Sequence, residues 1–264
     1  MSIHSLSVVH PNAKIHSGVE IGPFSYIEDD VEIGEGSSIG PNVTIYAGSR
    51  LGKNVKVYPG AVIGGEPQDL KFAGEYTTAE IGDHTTVREY VTVNRGTAAA
   101  GKTVVGKNCL LMAYAHIAHD CILGNNIVIA NNVNLAGHVI LDDYVIIEGQ
   151  VGVQQFVRIG QHSFIAGGSL VRKSVPPYIR AAREPLSYIG VNRIGLQRRG
   201  FSIEQINRIH EIYRILFVRG LNITNALTEI EASVPVCDER DDVIQFIEQT
   251  ERTGIVRSFR GLEE

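Results

Sequence analysis

The sequence predicts a mainly β protein, a parallel β-helix followed by a small α-helical domain, on three observations. An aliphatic residue returns at every sixth position through most of the chain. That series ends at Ser174-Val175-Pro176-Pro177, and beyond Gly200 the apolar spacing becomes that of amphipathic helices.

The hexad series runs from Val9 through Ile15, Ile21, Ile27, Ile33, Ile39, Ile45, Leu51, Val57 and Ile63. It lapses at Asp69 and Glu75, resumes in register at Ile81, and continues to Val171. A period of six fits neither a helix nor a long alternating strand, and it marks a stacked β-solenoid in which each hexad is one flat side and one corner. Three sides close a coil of 18 residues, as in known hexapeptide folds. The aliphatic position points inward, as does a small or β-branched residue four places later, such as Val19, Ser25 and Val31. Glycine often follows the aliphatic residue, as at Gly22, Gly34 and Gly124, and is expected to accommodate the corner backbone.

Two stretches break the series, residues 65–80 and 95–103, and are read as loops expelled onto the surface, where binding residues collect. Consecutive prolines cannot join a strand ladder, so the solenoid domain is assigned to residues 1–177. Residues 178–264 are read as a linker to Gly200 and a helical domain. Its first helix is marked by a capping box, Ser202 with Gln205, by the face Ile206, Ile209, Tyr213, Leu216 and Phe217, and by Gly220 as the stop. Weaker patterns over 222–233 and 238–252 suggest two more helices.

A formal net charge of −5 argues against a nucleic-acid protein as a whole. The charge is uneven, however. Arg172 to Arg219 holds ten basic residues against Glu184, Glu204 and Glu211, a surface suited to an anionic partner. Three cysteines without a C-x-x-C spacing suggest neither a disulfide framework nor a cysteine metal site. The first ten residues lack the features of a signal peptide, and no stretch approaches the ~20 apolar residues of a membrane span, so a cytoplasmic location is expected.

Chemistry concentrates in Ala115-His116-Ile117-Ala118-His119-Asp120-Cys121. With Ile117 and Cys121 facing inward, His116, His119 and Asp120 are expected on the outer wall. One coil further on, His138 should stand over Asp120, and Gly137 over His119, leaving open space there for a ligand. Such a group permits general base catalysis, with a carboxylate orienting an imidazole. It also permits zinc-activated water if His116, His119 and His138 turn together, as in a hydratase, and a non-catalytic scaffold is a third reading.

With these pieces in place, the chain resembles the UDP-N-acetylglucosamine O-acyltransferase family that begins lipid A synthesis in Gram-negative bacteria. The resemblance rests on Gln68-Asp69-Leu70-Lys71-Phe72-Ala73-Gly74-Glu75, the 115–121 motif, Leu135-Ala136-Gly137-His138-Val139 and Gln155-Phe156. It extends to Val175-Pro176-Pro177-Tyr178, Gly190-Val191-Asn192 and Arg198-Arg199-Gly200-Phe201. It implies a left-handed β-helix, a homotrimer with sites between subunits, and transfer of a 3-hydroxyacyl group from acyl carrier protein to the 3-hydroxyl of UDP-N-acetylglucosamine. No cofactor is implied, because phosphopantetheine arrives on the carrier protein. His119 then resembles the general base and Asp120 its orienting partner. Asp69, Lys71, His116, His138 and Gln155 resemble substrate contacts, Asn192, Arg198 and Arg199 nucleotide contacts, and Gly167 the end of an acyl-length ruler. The related N-acyltransferase is the neighbouring alternative. Gln154 and Ile194 depart from the family pattern, in which a histidine and a glutamate are common.

Overall fold

The computed structural model describes residues 2–250 and 254–258. The hexads form short strands, and every third strand pairs in parallel, which builds three long sheets around a triangular core. The first face runs from Ser2–Ile3 to Ile179–Ala182 and beyond, the second from Val8–Val9 to Leu170–Val171, and the third from Lys14–Ile15 to Arg158–Ile159. One coil is 18 residues, since His116 pairs with Asn134 and Asn134 with Gly152.

Inward positions behave as the period requires. Ile27, Ile45, Leu111, Ile117 and Ile129 are fully buried, and so are the intervening Val19, Val43 and Ser37. Each buried aliphatic side chain contributes roughly 1.5–3 kcal/mol as an upper bound. The N-terminal coil is thinner, with Val9 and Ile15 only partly covered.

The expelled loops keep the register because their lengths are multiples of the hexad. Lys56 pairs with Thr86 across thirty residues, twelve more than a coil, and Thr86 pairs with Leu110 across twenty-four, six more. The first loop is narrower than expected, because Thr78–Ile81 is strand. The second lies between Thr92–Asn94 and Lys102–Val105.

The corners differ from the expectation in one respect. Glycines directly after the aliphatic residue are there for close stacking: a Cβ on Gly34 would lie 2.5 Å from the Gly52 carbonyl carbon. The left-handed backbone falls two residues later and is carried mostly by Asn, His, Tyr and Asp, including Asp120, His138 and Phe156. Turning through that conformation aims these side chains off the corner.

The prolines do not end the sheet. Pro176 and Pro177 sit at a corner where no ladder donor is needed, and Ile179–Ala182 then joins the first face beside Phe164–Ile165. The expected linker is therefore structured: Ser187–Val191 pairs antiparallel with Ile179–Ala182, and helix α1, Arg193–Arg198, follows. Helix α2, Ile203–Phe217, begins at the Ser202–Gln205 capping box and buries Ile206, Ile209, Tyr213 and Leu216. The Tyr213 hydroxyl donates to the Pro177 carbonyl at 2.5 Å, fastening the helices to the solenoid. Helices α3, Ile223–Ser233, and α4, Asp238–Glu248, complete the fold.

Candidate active site

His116 lies on the second face, in strand His116–Ile117, and the chain then turns the corner toward the third face through His119 and Asp120. The eighteen-residue step stacks this corner into columns. Asp120, His138 and Phe156 form one, with the His138 and Phe156 rings stacked 4.8 Å apart. His119, Gly137 and Gln155 form the other.

Within the first column the carboxylate gathers donors. His119 Nδ1 lies 2.8 Å from Asp120 Oδ2, and His138 Nε2 lies 3.5 Å from the same oxygen. Thr97, from the second expelled loop, donates its backbone N–H to Oδ1 at 2.8 Å and its hydroxyl to Oδ2 at 2.7 Å. Burial alone would raise the Asp120 pKa, but the hydrogen bonds from His119 and Thr97 and the nearby His138 outweigh it and hold the carboxyl below its ordinary value. An ionised Asp120 only accepts, so His119 Nδ1 carries the proton, and in the neutral ring Nε2 is then the nitrogen with the lone pair. That is the tautomer a general base needs.

The expected outer-wall placement is corrected here. Both side chains do point away from the core, yet His119 and Asp120 are only 6% and 3% exposed: Thr97 lies against the Asp120 carboxylate, and the His119 ring packs on Gly137 and edge-on to His138. The space left by Gly137 is taken up in part by the ring itself, and a cavity lined by both residues opens beside it. The imidazole itself lies across Gly137, where a Cβ would fall 2.5 Å from its Cε1.

His119 lines a cavity of about 610 Å³ together with His116, Gln68, Gln154, Gln155 and Arg172. His116 Nδ1 is 2.7 Å from the Thr92 hydroxyl, and burial, then the nearby His119, lowers its pKa. His116 is not among the described ligand atoms that converge, so the zinc set of His116, His119 and His138 is not assembled. The group whose ligand atoms do converge, within 4.8 Å, is His119, Asp120 and His138.

Other candidates lie elsewhere. Asp69 and Lys71 do not line the cavity; their neighbour Gln68 does. Asp69 Oδ1 accepts from the Lys71 N–H at 3.0 Å and so shapes its own turn. Asn192 is buried, donates to the His162 carbonyl at 2.8 Å and caps α1 through Gly195. Arg199 packs over the Tyr144 ring and donates to the Tyr144 carbonyl at 3.1 Å. These two occupy the corner between the third and first faces, where Tyr144, His162 and Tyr178 stack. Exposed Arg198 precedes Arg199 at the end of α1, and Ile194 lies exposed in the same helix. Gly167 occupies the remaining corner, between the first and second faces. The candidates His119, Asn192 with Arg199, and Gly167 thus stand on three different corners of one chain.

The basic stretch is also less bare than its sequence count. Arg172 pairs with Glu184 at 2.6 Å, Arg208 with Glu239 at 3.5 Å, Arg214 with Glu211 at 2.7 Å and Arg219 with Glu229 at 2.8 Å. Glu229 and Glu239 lie outside the counted window and return to it through the packing of α3 and α4. Lys173, Arg193 and Arg198 make no ion pair among the described residues.

Comparison with known proteins gives this geometry a context. The bacterial transferase hexapeptide family matches residues 30–65 and 102–137, and the family described as UDP-N-acetylglucosamine O-acyltransferase, domain 2, matches residues 175–256. A Myxococcus xanthus protein named acyl-(acyl-carrier-protein)-UDP-N-acetylglucosamine O-acyltransferase is 46% identical, over 97% of this chain and 99% of its own. The chain belongs to this family. It is an O-acyltransferase. The solved UDP-N-acetylglucosamine acyltransferase of Bacteroides fragilis superposes with a TM-score of 0.95 at 50% identity, covering 96% of this chain and 99% of that one. The solved relative from Acinetobacter baumannii gives 0.94 at 39% identity, covering 97% and 99%. This O-acyltransferase therefore carries its buried His–Asp pair on the fold of its relatives.

Thr97, Thr92 and Gln68 were not singled out from the sequence as site residues. Thr97 and Gln68 lie in the segments that leave the hexad register, so no column position pointed to them. Thr92, one coil of three hexads before His116 once the six extra residues of the second loop are removed from the count, could have been found by pairing across that loop.

Proposed function

We propose that the protein transfers a 3-hydroxyacyl group from acyl carrier protein to the 3-hydroxyl of UDP-N-acetylglucosamine, the first step of lipid A synthesis, in the cytoplasm and without a cofactor of its own. The observation that carries this reading is the buried His119–Asp120 pair at the edge of a cavity, in a chain close to enzymes that bear this name. His119 Nε2 takes the proton of the sugar hydroxyl as its oxygen attacks the thioester carbonyl. The C–S bond then breaks, and the thiolate of the carrier arm leaves with the proton from the imidazolium. Asp120 keeps the ring in its tautomer and stabilises the cation between the two steps.

Placement on three corners favours a trimer. A cavity that holds His119 on one corner can meet Asn192, Arg198, Arg199 or Gly167 only if a neighbouring subunit presents a different corner to it. Lys71, Asp69, His116, His138 and Gln155 would then act from one side of each site and the nucleotide contacts from the other.

The test is purified protein with a panel of acyl carrier protein thioesters and UDP-sugars, with products read by mass. O-acylated UDP-N-acetylglucosamine is expected, and product on a 3-amino sugar alone would move the protein to the N-acyltransferase reaction. His119→Ala should lower turnover by about 10²–10⁴-fold. Near-normal turnover removes His119 from the chemistry, and stoichiometric zinc lost in the same variant would favour the hydratase.

A further inference from the structure

We propose that Thr97 and Glu75 are positioning residues that join the two expelled loops into one clamp on the His119–Asp120 pair. The inference rests on the reading of His119 as the base.

Asp120 is held from the loop side by one residue. Thr97, itself only 6% exposed, supplies a donor to each carboxylate oxygen and so fixes both the position and the rotation of the carboxylate plane. His119 Nδ1 shares Oδ2, so the direction of the imidazole depends on that rotation. From the other side the Asp120 backbone N–H donates to the Thr103 hydroxyl at 2.9 Å, which anchors the corner but leaves the carboxylate free to turn. Among the described residues, Thr97 is the one that bonds both carboxylate oxygens.

The Thr97 loop is in turn tied to the 66–77 loop by Glu75. Its Oε1 accepts from the Ala98 N–H and its Oε2 from the Ala73 N–H, each at 2.8 Å. Its own backbone N–H, and then those of Ala73 and Ala98, hold the Glu75 carboxyl below its ordinary pKa, so it stays an acceptor. Ala73 closes the turn that Asp69 builds with Lys71 and Phe72, and Gln68 of the same loop lines the cavity. The connection is therefore continuous: Gln68 and the Asp69 turn, Glu75, Ala98, Thr97, Asp120, His119. Movement of the first loop on binding acceptor reaches the base through hydrogen bonds alone, without any shift of the solenoid. The hexad-multiple loop lengths allow this, since both loops leave and re-enter without disturbing the coils that carry His119 and His138.

Steady-state kinetics of three variants test the clamp. Thr97→Val keeps the shape and the backbone donor but loses the hydroxyl; kcat should fall about ten- to a hundredfold, the range for losing a hydrogen bond to a charged group, with KM for the sugar nucleotide nearly unchanged. Thr97→Ser should restore kcat to within about threefold. Glu75→Gln replaces one acceptor oxygen by a donor, so it should raise KM for the sugar nucleotide and lower kcat together. The double variant Glu75→Gln with Thr97→Val should lose less than the product of the single losses, because both break one connection. Full kcat in Thr97→Val, or a serine variant as slow as the valine one, overturns the role of Thr97. Independent losses in the double variant overturn the link through Glu75. If Thr97→Val melts below the assay temperature, Glu75→Gln alone decides, since a merely structural role would leave its KM unchanged. Wild-type turnover and the His119→Ala loss, measured alongside, separate failure of the clamp from failure of the base assignment.

Discussion

His119 lies flat against Gly137 of the next coil, so closely that a Cβ on residue 137 would fall 2.5 Å from Cε1 and 2.7 Å from Nε2 of the ring. The glycine is not needed for its backbone conformation, since Gly137 is absent from the left-handed positions. It is needed for the space its missing side chain leaves to the imidazole.

Gly137→Ala should therefore fold and yet misplace the base. A methyl group there pushes the ring off its bond to Asp120, and displacements near 1 Å can cost about 10²-fold in rate. We expect kcat to fall by about ten- to a hundredfold while the melting temperature drops by only a few degrees, as for modest overpacking. Turnover within twofold of wild type would show that the ring has room to slide without loss.

Salt dependence separates the unpaired basic residues from the paired ones. Arg172, Arg208, Arg214 and Arg219 already face carboxylates, so attraction of an acidic carrier protein or of nucleotide phosphates falls to the other six basic residues, Lys173, Arg193 and Arg198 among them. The Michaelis constants should rise with ionic strength, since screening shortens to ~3 Å at 1 M. Charge reversal at Lys173 or Arg198 should raise KM before it alters kcat, whereas reversal at Arg214 should leave both nearly unchanged. Constants that ignore salt for both substrates would return the whole stretch to a solvated surface.

His162 predicts a pH dependence of stability. It is buried between Tyr144 and Tyr178 with Nδ1 unpartnered among the described residues. Burial, and then Arg199 beside it, lowers its pKa to about 4. The unfolded chain, with an imidazole pKa of ~6.5, binds more protons than the fold between those values, so stability is full above pH ~6.5 and is lost as pH falls toward 4. The loss is on the order of 3 kcal/mol. His162→Phe keeps the stack and should flatten the stability curve over this window in chemical denaturation. An unchanged slope in that variant would place the acid sensitivity on other groups.

Most of the scaffold was legible in the sequence because a solenoid has one strong rule. The six-residue period located the inward positions, and the eighteen-residue step by itself places His138 beside Asp120. Where the rule is suspended, reading from sequence failed in identifiable ways. Thr97 belongs to no column, so its bonds to the Asp120 carboxylate were invisible and the pair was expected on an open wall. Pro176-Pro177 reads as a stop only if the prolines fall in a strand; at a corner they cost no ladder bond, and the sheet continued into the 179–191 hairpin. The charge of Arg172 to Arg219 was overcounted because Glu229 and Glu239 are distant in sequence and adjacent in the fold. Asn192, Arg199 and Gly167 could be recognised as candidates by resemblance alone, because no repeat arithmetic brings their corners to that of His119.

Gly167 carries the last prediction, on acyl length. Two explanations compete for a glycine at this corner: backbone conformation, or space left for the end of an acyl tail. The first belongs to its neighbour, since Gly168 has φ +69° and Gly167 is not among the left-handed positions. A Cβ on Gly167 would stand 3.2 Å from the Gly149 carbonyl oxygen and 3.7 Å from the Glu148 Cβ, a tight contact that small adjustments relieve. Gly167→Met should therefore fold, with its side chain directed off the corner. If the acyl groove ends there, each methylene that the wild-type groove holds contributes up to ~0.8 kcal/mol, and the added side chain removes that gain for the longest tails only. Competition among 3-hydroxyacyl thioesters of graded length should show preference moving several carbons shorter, with short-chain turnover preserved because His119 stands on a different corner. An unchanged length profile in the folded variant would refute the ruler, and a uniform loss at every length would mean that the methionine disturbs the site as a whole.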